Sequence, residues 1–325
     1  MRFDSSVAEP VKFGKYSLVG RLGEGGMCHV FWVCKIGEPG EYAIKLLKES
    51  ERDKDRVLDL FITEADLSLM LNHPNLINTI EAGEIKGRYY IAMELIEGVN
   101  LQDLVTQVQN IGVRMPPDFA LFIINEVLQG LHALHGFTGV SGRELDLIHR
   151  DVTPSNIFIC FDGRVILGDF GVAHIKAYGG ADSSIAIGKL GYLSPEVTVG
   201  KEIDHRSDLF AIGVILWELL TGGRLYVGEN EKIVLQAIAD GQAPSVSAIR
   251  PGIFKGLEAV VAKALARKPQ DRFQSAIEMV YAIRPMWTTQ IGSQSVLSAL
   301  LAGLFRDEFH LWASEQDPES LPVYP

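Results

Sequence analysis

Cysteine is scarce in this chain of 325 residues. The three cysteines, Cys28, Cys34 and Cys160, form an odd set, and no two of them have the Cys-x-x-Cys spacing of a zinc or redox site. Such a set is typical of free thiols in a reducing compartment. The sequence therefore argues against a small secreted protein that is held together by disulfides.

Long apolar runs and an excess of basic residues are also missing. The longest apolar run, from Leu209 to Trp217, stops at Glu218 and is too short to cross a bilayer. Residues 1–11 contain two acids and no apolar core, so we do not expect a secretory signal there. The net charge of −11 disfavours nucleic acid and anionic membranes as partners. We therefore expect a cytoplasmic protein without a membrane span.

The apolar content and the residue pattern predict an α+β fold of two lobes. Apolar residues make up 47% of the chain, which is enough for a sizeable core. Residues 1–14 are polar and irregular, which predicts a flexible lead-in. The residue pattern of 15–97 then predicts a small lobe with an antiparallel sheet of five strands and one helix, which lies at residues 53–72. The predicted strands lie at residues 16–19, 29–33, 42–45, 77–81 and 89–93.

Beyond Gly98 the periodicity changes from that of strands to that of helices. Residues 98–284 predict a larger, mainly helical lobe, which short strands at 157–160 and 164–167 interrupt. Residues 285–325 form a tail that contains a helical pattern from Gln294 to Trp312. This helix either packs back on the large lobe or binds a partner, which includes a second copy of the chain. The predicted helices of the large lobe lie at residues 101–109, 117–135, 207–221, 230–240 and 256–266.

A glycine-rich segment links the first two predicted strands. Gly23, Gly25 and Gly26 supply a turn whose backbone N–H groups are suited to covering phosphates. A dinucleotide-binding fold would continue from such glycines into a helix, whereas here the next residues alternate as a strand. A strand–loop–strand arrangement is therefore expected, and an ordinary hairpin turn is the alternative.

Three hydrogen-bonding side chains follow in the large lobe. Asp151 is followed five positions later by Asn156, and Asp169 opens a glycine-containing turn thirteen residues after that. Carboxylate and amide oxygens are hard ligands that suit Mg²⁺ and, through it, nucleotide phosphates. This set of groups predicts a site for Mg²⁺ and nucleotide phosphates.

The motifs together resemble those of eukaryotic-type (Hanks-type) serine/threonine protein kinases, in a bacterial lineage. The resemblance covers residues 16–284 and is carried by an ordered series of motifs. It implies the two-lobed kinase fold and ATP- and Mg²⁺-dependent phosphoryl transfer to serine or threonine hydroxyls of proteins. The motifs are Gly23–Val30, Tyr42–Lys45, Ile148–Asn156, Asp169–Gly171 and Gly188–Glu196.

The resemblance also implies roles for individual residues. Lys45 would hold the α- and β-phosphates, and Glu64 would orient it. Asp151 would act as the base, and Asn156 and Asp169 would hold Mg²⁺. The remaining nucleotide contacts are expected from Leu22, Gly23, Glu24, Gly25, Gly26, Val30, Ala43, Met93, Glu94, Ile96 and Phe158.

Two departures from the family pattern concern the catalytic loop. Thr153 stands where these kinases carry a lysine, and Lys189 stands where they usually carry a threonine. The two positions touch in the family's fold. We therefore hypothesise an exchange, in which the ammonium of Lys189, on the activation segment, takes the place of the missing lysine. The alternative is that Lys189 is a solvated charge on a loop.

A third departure lies in the glycine loop, where Cys28 replaces the last glycine of the family pattern. A side chain is tolerated there if φ stays negative, and the loop should be stiffer. A redox-sensitive thiol over the nucleotide is a second reading of Cys28.

Regulation and scaffolding are implied by the same resemblance. Arg150 precedes the base, and kinases with this arginine often need a phosphate on the activation segment. The segment 169–196 has no threonine, so Ser183 and Ser184 are the predicted sites. Asp208 would brace the catalytic loop, and Glu196 with Arg272 would form a buried ion pair.

Three functions remain open at this level. Pro154 favours a serine/threonine kinase over a tyrosine kinase, because tyrosine kinases of the family lack that proline. A pseudokinase that acts through protein partners is the main alternative, although Lys45, Asp151 and Asp169 are retained. A small-molecule phosphotransferase of related fold would not be expected to keep Ser194–Glu196 and Arg272.

Overall fold

The small lobe is built on one twisted antiparallel sheet. The computed structural model of the protein describes residues 11–52, 54–139, 142, 145–169, 187–241, 243–287 and 291–315. The strand order across the sheet is β1-β2-β3-β4-β6-β5. The strands are β1 (Val11–Phe13), β2 (Tyr16–Glu24), β3 (Cys28–Lys35), β4 (Glu41–Leu47), β5 (Thr79–Ile85) and β6 (Arg88–Glu94).

The sheet contains the five expected strands and one more. The expectation of an irregular lead-in through residue 14 was wrong for Val11–Phe13, which pair antiparallel with Tyr16–Leu18 across a tight turn. Gly14 makes that turn with φ of +60°. Phe13 is buried, and its ring meets Tyr90 edge-to-face at 5.6 Å, so apolar burial fixes this edge strand.

One long helix covers the inner face of the sheet. After the short α1 (Glu49–Arg52), α2 (Asp55–Met70) buries Phe61 and Ala65 against the sheet residues Leu47 and Ile91. These apolar positions are four residues apart, so they share one face of the helix. Glu64 lies between them in sequence, and the same packing turns it inward.

The large lobe is mainly helical and contains the main core. A short sheet in the order β7-β8-β9 lies beside the helices: β7 (Gly98–Asn100), β8 (Ile157–Cys160) and β9 (Val165–Leu167). The helices are α3 (Leu101–Asn110), α4 (Pro117–His135), α5 (Ile187–Leu190), α6 (Pro195–Thr198), α7 (Arg206–Thr221), α8 (Glu231–Asp240), α9 (Val246–Ile249), α10 (Lys255–Ala264) and α11 (Ala276–Ile283).

Helix boundaries follow local sequence signals. Proline stands at the first turn of α4, where its missing N–H costs nothing, and Gly222 ends α7 with φ of +78°. Asn100 accepts a hydrogen bond from the backbone N–H of Asp103 and so caps α3. Helix α7 is buried on nearly all sides, which explains why its sequence is apolar almost throughout.

The tail forms two helices where one was expected. Helix α12 (Gln294–Leu304) and α13 (Arg306–Glu315) are separated at Phe305, whose φ and ψ of −123° and 58° are not helical. Leu297 and Leu301 are fully buried in the core of the large lobe. The tail thus packs intramolecularly, and a partner or second copy at this helix stays a prediction.

Among the described residues, none of the helices combines the length and the apolar character that crossing a membrane requires.

Candidate active site

Lys45 is held between two carboxylates in the cleft. It lies in β4, paired with Val30 on one neighbouring strand and Ile91 on the other. Its ammonium is 2.6 Å from Glu64 Oε1 and 2.7 Å from Asp169 Oδ1. The side chains of Lys45 and Glu64 are 12% and 6% exposed, so their contact is made largely away from water, whereas the Asp169 side chain is half exposed. The small-lobe helix and the loop of the large lobe are therefore joined through one lysine.

The electrostatics of this triad favour the charged forms of two of its members. Burial by itself would lower the pKa of Lys45, but the carboxylates of Asp169 and Glu64 outweigh burial and hold it well above its ordinary value. Lys45 in turn lowers the pKa of Asp169. Burial and the nearby charge of Asp169 raise the pKa of Glu64, although Lys45 opposes this. Asp169 is thus the member best suited to meet a cation.

The loop around Asp151 is braced from below by Asp208. Arg150 has φ of +68°, a conformation that a side chain of its size adopts only when its surroundings impose it. The carboxylate of Asp208 accepts from the backbone N–H groups of His149 and Arg150, each at 2.9 Å. His135 adds a contact at 2.8 Å. Burial opposes ionisation of Asp208, but these bonds outweigh it and lower its pKa.

Asp151 receives two donors on one carboxylate oxygen. Asn156 Nδ2 donates to Oδ2 at 2.8 Å and to the backbone carbonyl of Asp151 at 2.9 Å. Lys189 Nζ lies 2.7 Å from the same Oδ2. Because both amide hydrogens of Asn156 are committed to Asp151, its amide oxygen is the atom left to meet a cation.

Thr153 does not reach into the cleft. It is 3% exposed, and its hydroxyl lies 2.9 Å from that of Ser155. The side chain that contacts Asp151 from the neighbouring segment is Lys189, which is 40% exposed. The structure therefore brings Lys189 to Asp151, whereas Thr153 is turned into its own loop.

The glycine loop closes with a backbone hydrogen bond from Gly25 to Cys28, 2.8 Å long. Glu24 contacts Arg21 and, at 2.7 Å, Lys48, so the loop is tied down on both sides. The Cys28 side chain points away from the loop into the cluster that contains Phe61 and is 4% exposed. Burial raises its pKa to about 12, which keeps the thiol protonated near neutral pH and leaves the redox reading without support.

The remaining residues that are predicted to contact the nucleotide lie on strands of the small lobe, next to those strands, and on β8 of the large lobe. Ala43 stands opposite Met93 in the β4–β6 ladder, and Val30 stands opposite Gly23 in the β2–β3 ladder. Phe158 lies against Gly168, where an added Cβ would be 2.8 Å from its ring. Leu22 and Glu24 complete β2, and Glu94 ends β6, two residues before Ile96.

The buried ion pair of the large lobe is a two-bond fork. Arg272 donates to both carboxylate oxygens of Glu196 at 2.7 Å, and its side chain is fully buried. Ser207 donates to the same carboxylate at 2.8 Å. Burial opposes ionisation of Glu196, but Arg272 outweighs burial and lowers its pKa. The fork fixes the end of the activation segment to the turn before α11, and Ser207 links the same carboxylate to the start of α7.

Sequence reasoning missed two groups that brace this region, His135 and Ser207. Each is a polar residue near the end of a helix. That pattern is too common to single out unless the residue that it contacts is known. The predicted regulatory residues Ser183 and Ser184 lie outside the described residues, as does Phe170. Arg150, which precedes Asp151, is half-buried.

Comparison with known proteins shows similarity to protein kinases. The family model for the protein kinase domain matches residues 16–282. The chain is 33% identical over 305 residues to the tyrosine-protein kinase MasK of Myxococcus xanthus (strain DK1622), which covers 91% of this chain and 47% of MasK. It is 31% identical to the serine/threonine-protein kinase PknD of Mycobacterium tuberculosis (strain H37Rv), over 86% of this chain and 40% of PknD.

A solved structure of similar fold is the kinase domain of PknI from Mycobacterium tuberculosis. Its TM-score is 0.65 at 27% identity, with 86% of this chain and 99% of that chain covered. The chain spans less than half the length of the two curated relatives described above. The match to the family model nevertheless covers most of the chain. The chain therefore belongs to the protein kinase family, as a Hanks-type kinase of the bacterial kind.

Proposed function

We propose that the protein transfers the γ-phosphoryl group of ATP to serine or threonine hydroxyls of protein substrates. The observation that carries this proposal is the Lys45–Glu64 contact of 2.6 Å, with Asp169 on the same ammonium. A nucleotide-binding scaffold does not need the ion pair between Lys45 and Glu64, whereas phosphoryl transfer does. The pseudokinase alternative is disfavoured by the same contact.

In this proposal Asp151 accepts the proton of the attacking hydroxyl. A carboxylate accepts hydrogen bonds and offers no competing donor when ionised. Asn156 fixes its orientation through two hydrogen bonds, and the Asp208 brace fixes the backbone that carries it. The hydroxyl is thereby met by an acceptor that needs little reorganisation.

The donor set fits a magnesium ion between Asn156 and Asp169. An amide oxygen and a carboxylate whose pKa is lowered are hard ligands of the kind that Mg²⁺ prefers. Bound there, the ion would offset negative charge on the phosphates. Lys45 would contribute a second positive charge from the small lobe.

Lys189 is proposed to take the place of the lysine that Thr153 replaces. Its ammonium contacts Asp151, so it lies where the transferring group and the hydroxyl would meet. An ammonium about 4 Å from a phosphate oxygen contributes roughly 4 kcal/mol at an effective dielectric constant near 20. This is enough to favour keeping a cation at that place.

Tyrosine is the second candidate acceptor, because MasK is named as a tyrosine-protein kinase. Pro154 in the catalytic loop favours serine and threonine. Phosphoamino-acid analysis of a phosphorylated mixed peptide pool decides between them, and phosphotyrosine as the main product would overturn the preferred assignment.

The three cysteines are free, which supports the cytoplasm as the compartment in which the protein acts.

The test is ATP turnover and autophosphorylation of the wild type beside Asp151→Asn and Lys45→Met. Lys12→Met is the matched control, because Lys12 is exposed on the edge strand far along the sheet from Lys45. We expect Asp151→Asn and Lys45→Met to lose roughly 10²-fold or more in kcat and Lys12→Met to lose nothing. Equal signal from all four proteins would overturn the proposal.

A further inference from the structure

The last helix of the tail contacts the segment that connects the two lobes. Trp312 Nε1 donates a hydrogen bond of 2.8 Å to Glu97 Oε2. Glu97 immediately follows Ile96, which is expected to contact the nucleotide, and precedes Gly98, where β7 begins. Its backbone carbonyl accepts from the N–H of Phe161 at 2.9 Å. Glu97 is thus held by its backbone and by its side chain.

An aromatic cluster supports this hydrogen bond. The buried ring of Phe161 lies 5.8 Å from that of Phe309 and 5.9 Å from that of Trp312. Phe309 and Trp312 are 5.2 Å apart, at ring angles that avoid face-to-face stacking. The same residue that bonds the backbone of Glu97 therefore receives the rings of α13.

Helix α12 is fixed to the same turn of the large lobe. Ser298 Oγ donates to the carbonyl of Phe161 at 2.6 Å, and Gln294 Nε2 donates to the carbonyl of Asp162 at 3.2 Å. Gly163 is so close that a Cβ there would lie 1.9 Å from the carbonyl oxygen of Gln294. Helix α12 is consequently packed closely against the turn at residues 161–163 of the large lobe.

We propose that Trp312 is a positioning residue for nucleotide binding, acting through Glu97 on the connecting segment. This rests on the proposed function and on the expectation that Glu94 and Ile96 contact the nucleotide. A segment whose conformation is fixed before ATP arrives loses less entropy on binding. When the Trp312 contact is removed, the binding-competent conformation is less populated. The apparent affinity for nucleotide then falls in proportion to the population of that conformation.

The test changes the hydrogen bond while keeping the apolar contact. Trp312→Phe retains a ring against Phe161 and lacks the N–H. We expect the KM for ATP and the Kd for a fluorescent ATP analogue to rise roughly tenfold, with kcat and the KM for the protein substrate within twofold of wild type. Glu97→Gln keeps an acceptor oxygen and should bind like wild type, whereas Glu97→Leu should match Trp312→Phe.

Trp287→Phe is the matched control, because the buried indole N–H of Trp287 has no partner within the described part of the chain. It should leave the KM and the Kd for nucleotide unchanged. A double variant of Trp312→Phe and Glu97→Leu should be no weaker than either single variant.

Unchanged Kd in Trp312→Phe, or a loss in Trp287→Phe as large, would overturn the inference. Nucleotide Kd is measured without turnover, so it separates the two proposals. A wild type that binds nucleotide but transfers no phosphate would refute the proposed function and leave this comparison valid.

Discussion

Lys189, from the activation segment, forms a 2.7 Å ion pair with Asp151, from the catalytic loop. The two residues are 38 positions apart in the sequence, and the family pattern predicts a threonine where Lys189 stands. Thr153, which occupies the usual lysine position, is buried and bonds Ser155 instead. The ion pair gives the exchange hypothesis a concrete geometry, because the Lys189 ammonium meets Asp151, the predicted base, from the opposite segment.

The exchange is tested by moving the lysine back. Lys189→Thr should lower kcat roughly 10²-fold, because a cation beside the transferring group is removed. Adding Thr153→Lys to that variant should recover most of the loss, as the ammonium returns from the loop. Steady-state kinetics with a peptide substrate measure both effects.

The control for this pair is Lys201→Thr, which removes an exposed lysine beyond the activation segment and should leave kcat unchanged. If Lys189→Thr turns over as fast as the wild type, Lys189 is a solvated charge and the exchange hypothesis fails. A double variant no faster than Lys189→Thr would also count against it, provided that it melts at the wild-type temperature.

Glu196→Gln should destabilise the protein in a pH-dependent way. Breaking the fork leaves the Arg272 guanidinium buried without its counter-charge, which costs about 3–5 kcal/mol at pH 7. Although burial opposes it, Arg272 holds the folded pKa of Glu196 below 4.5. The folded state therefore binds fewer protons than the unfolded state just below pH 4.5, and this contribution is lost as the pH falls through the folded pKa.

The gap between the unfolding free energies of the wild type and Glu196→Gln should consequently have its full value above pH 4.5 and decrease below that pH. Urea denaturation at several pH values between 3.5 and 7 measures the gap, and the other titrating groups cancel because both proteins share them. A gap that stays constant over this range would show that the fork contributes no pH dependence.

Gly98→Ala should lower the melting temperature. A Cβ at Gly98 would lie 2.2 Å from the carbonyl oxygen of Ile159 and 2.7 Å from Cα of Cys160, so β7 and β8 must separate. We expect a loss of about 1–3 kcal/mol. Gly26→Ala is the matched control, because a Cβ there meets nothing within 4 Å. Equal melting temperatures for the two variants would contradict this reading.

Cys28 should resist alkylation in the folded protein. The thiolate is the reactive form, and burial raises the pKa of Cys28, like that of Cys160, to about 12. Iodoacetamide at pH 8, followed by peptide mass spectrometry, should label Cys34 first, because it is only partly buried. Labelling of Cys28 at the rate seen in denaturant would refute this and restore the redox reading.

Much of the fold follows from local patterns. Helix α4 begins and ends where the prolines and the apolar period predict, and the strands around Lys45 follow from alternation. The edge strand at Val11–Phe13 was missed because three residues carry too little periodicity, and because Tyr90, whose ring packs against Phe13, is remote in sequence. The break at Phe305 was missed because the apolar spacing continues through it.

The sequence by itself determined which residues are predicted to be catalytic, because Lys45, Glu64, Asp151, Asn156 and Asp169 stand in the order of the kinase motifs. Tertiary structure alone decided what surrounds them. Which donors meet Asp151, where the Cys28 thiol points and which residue Trp312 bonds all depend on contacts between segments far apart in the chain. Such contacts are fixed by packing of whole elements, and no local pattern encodes them.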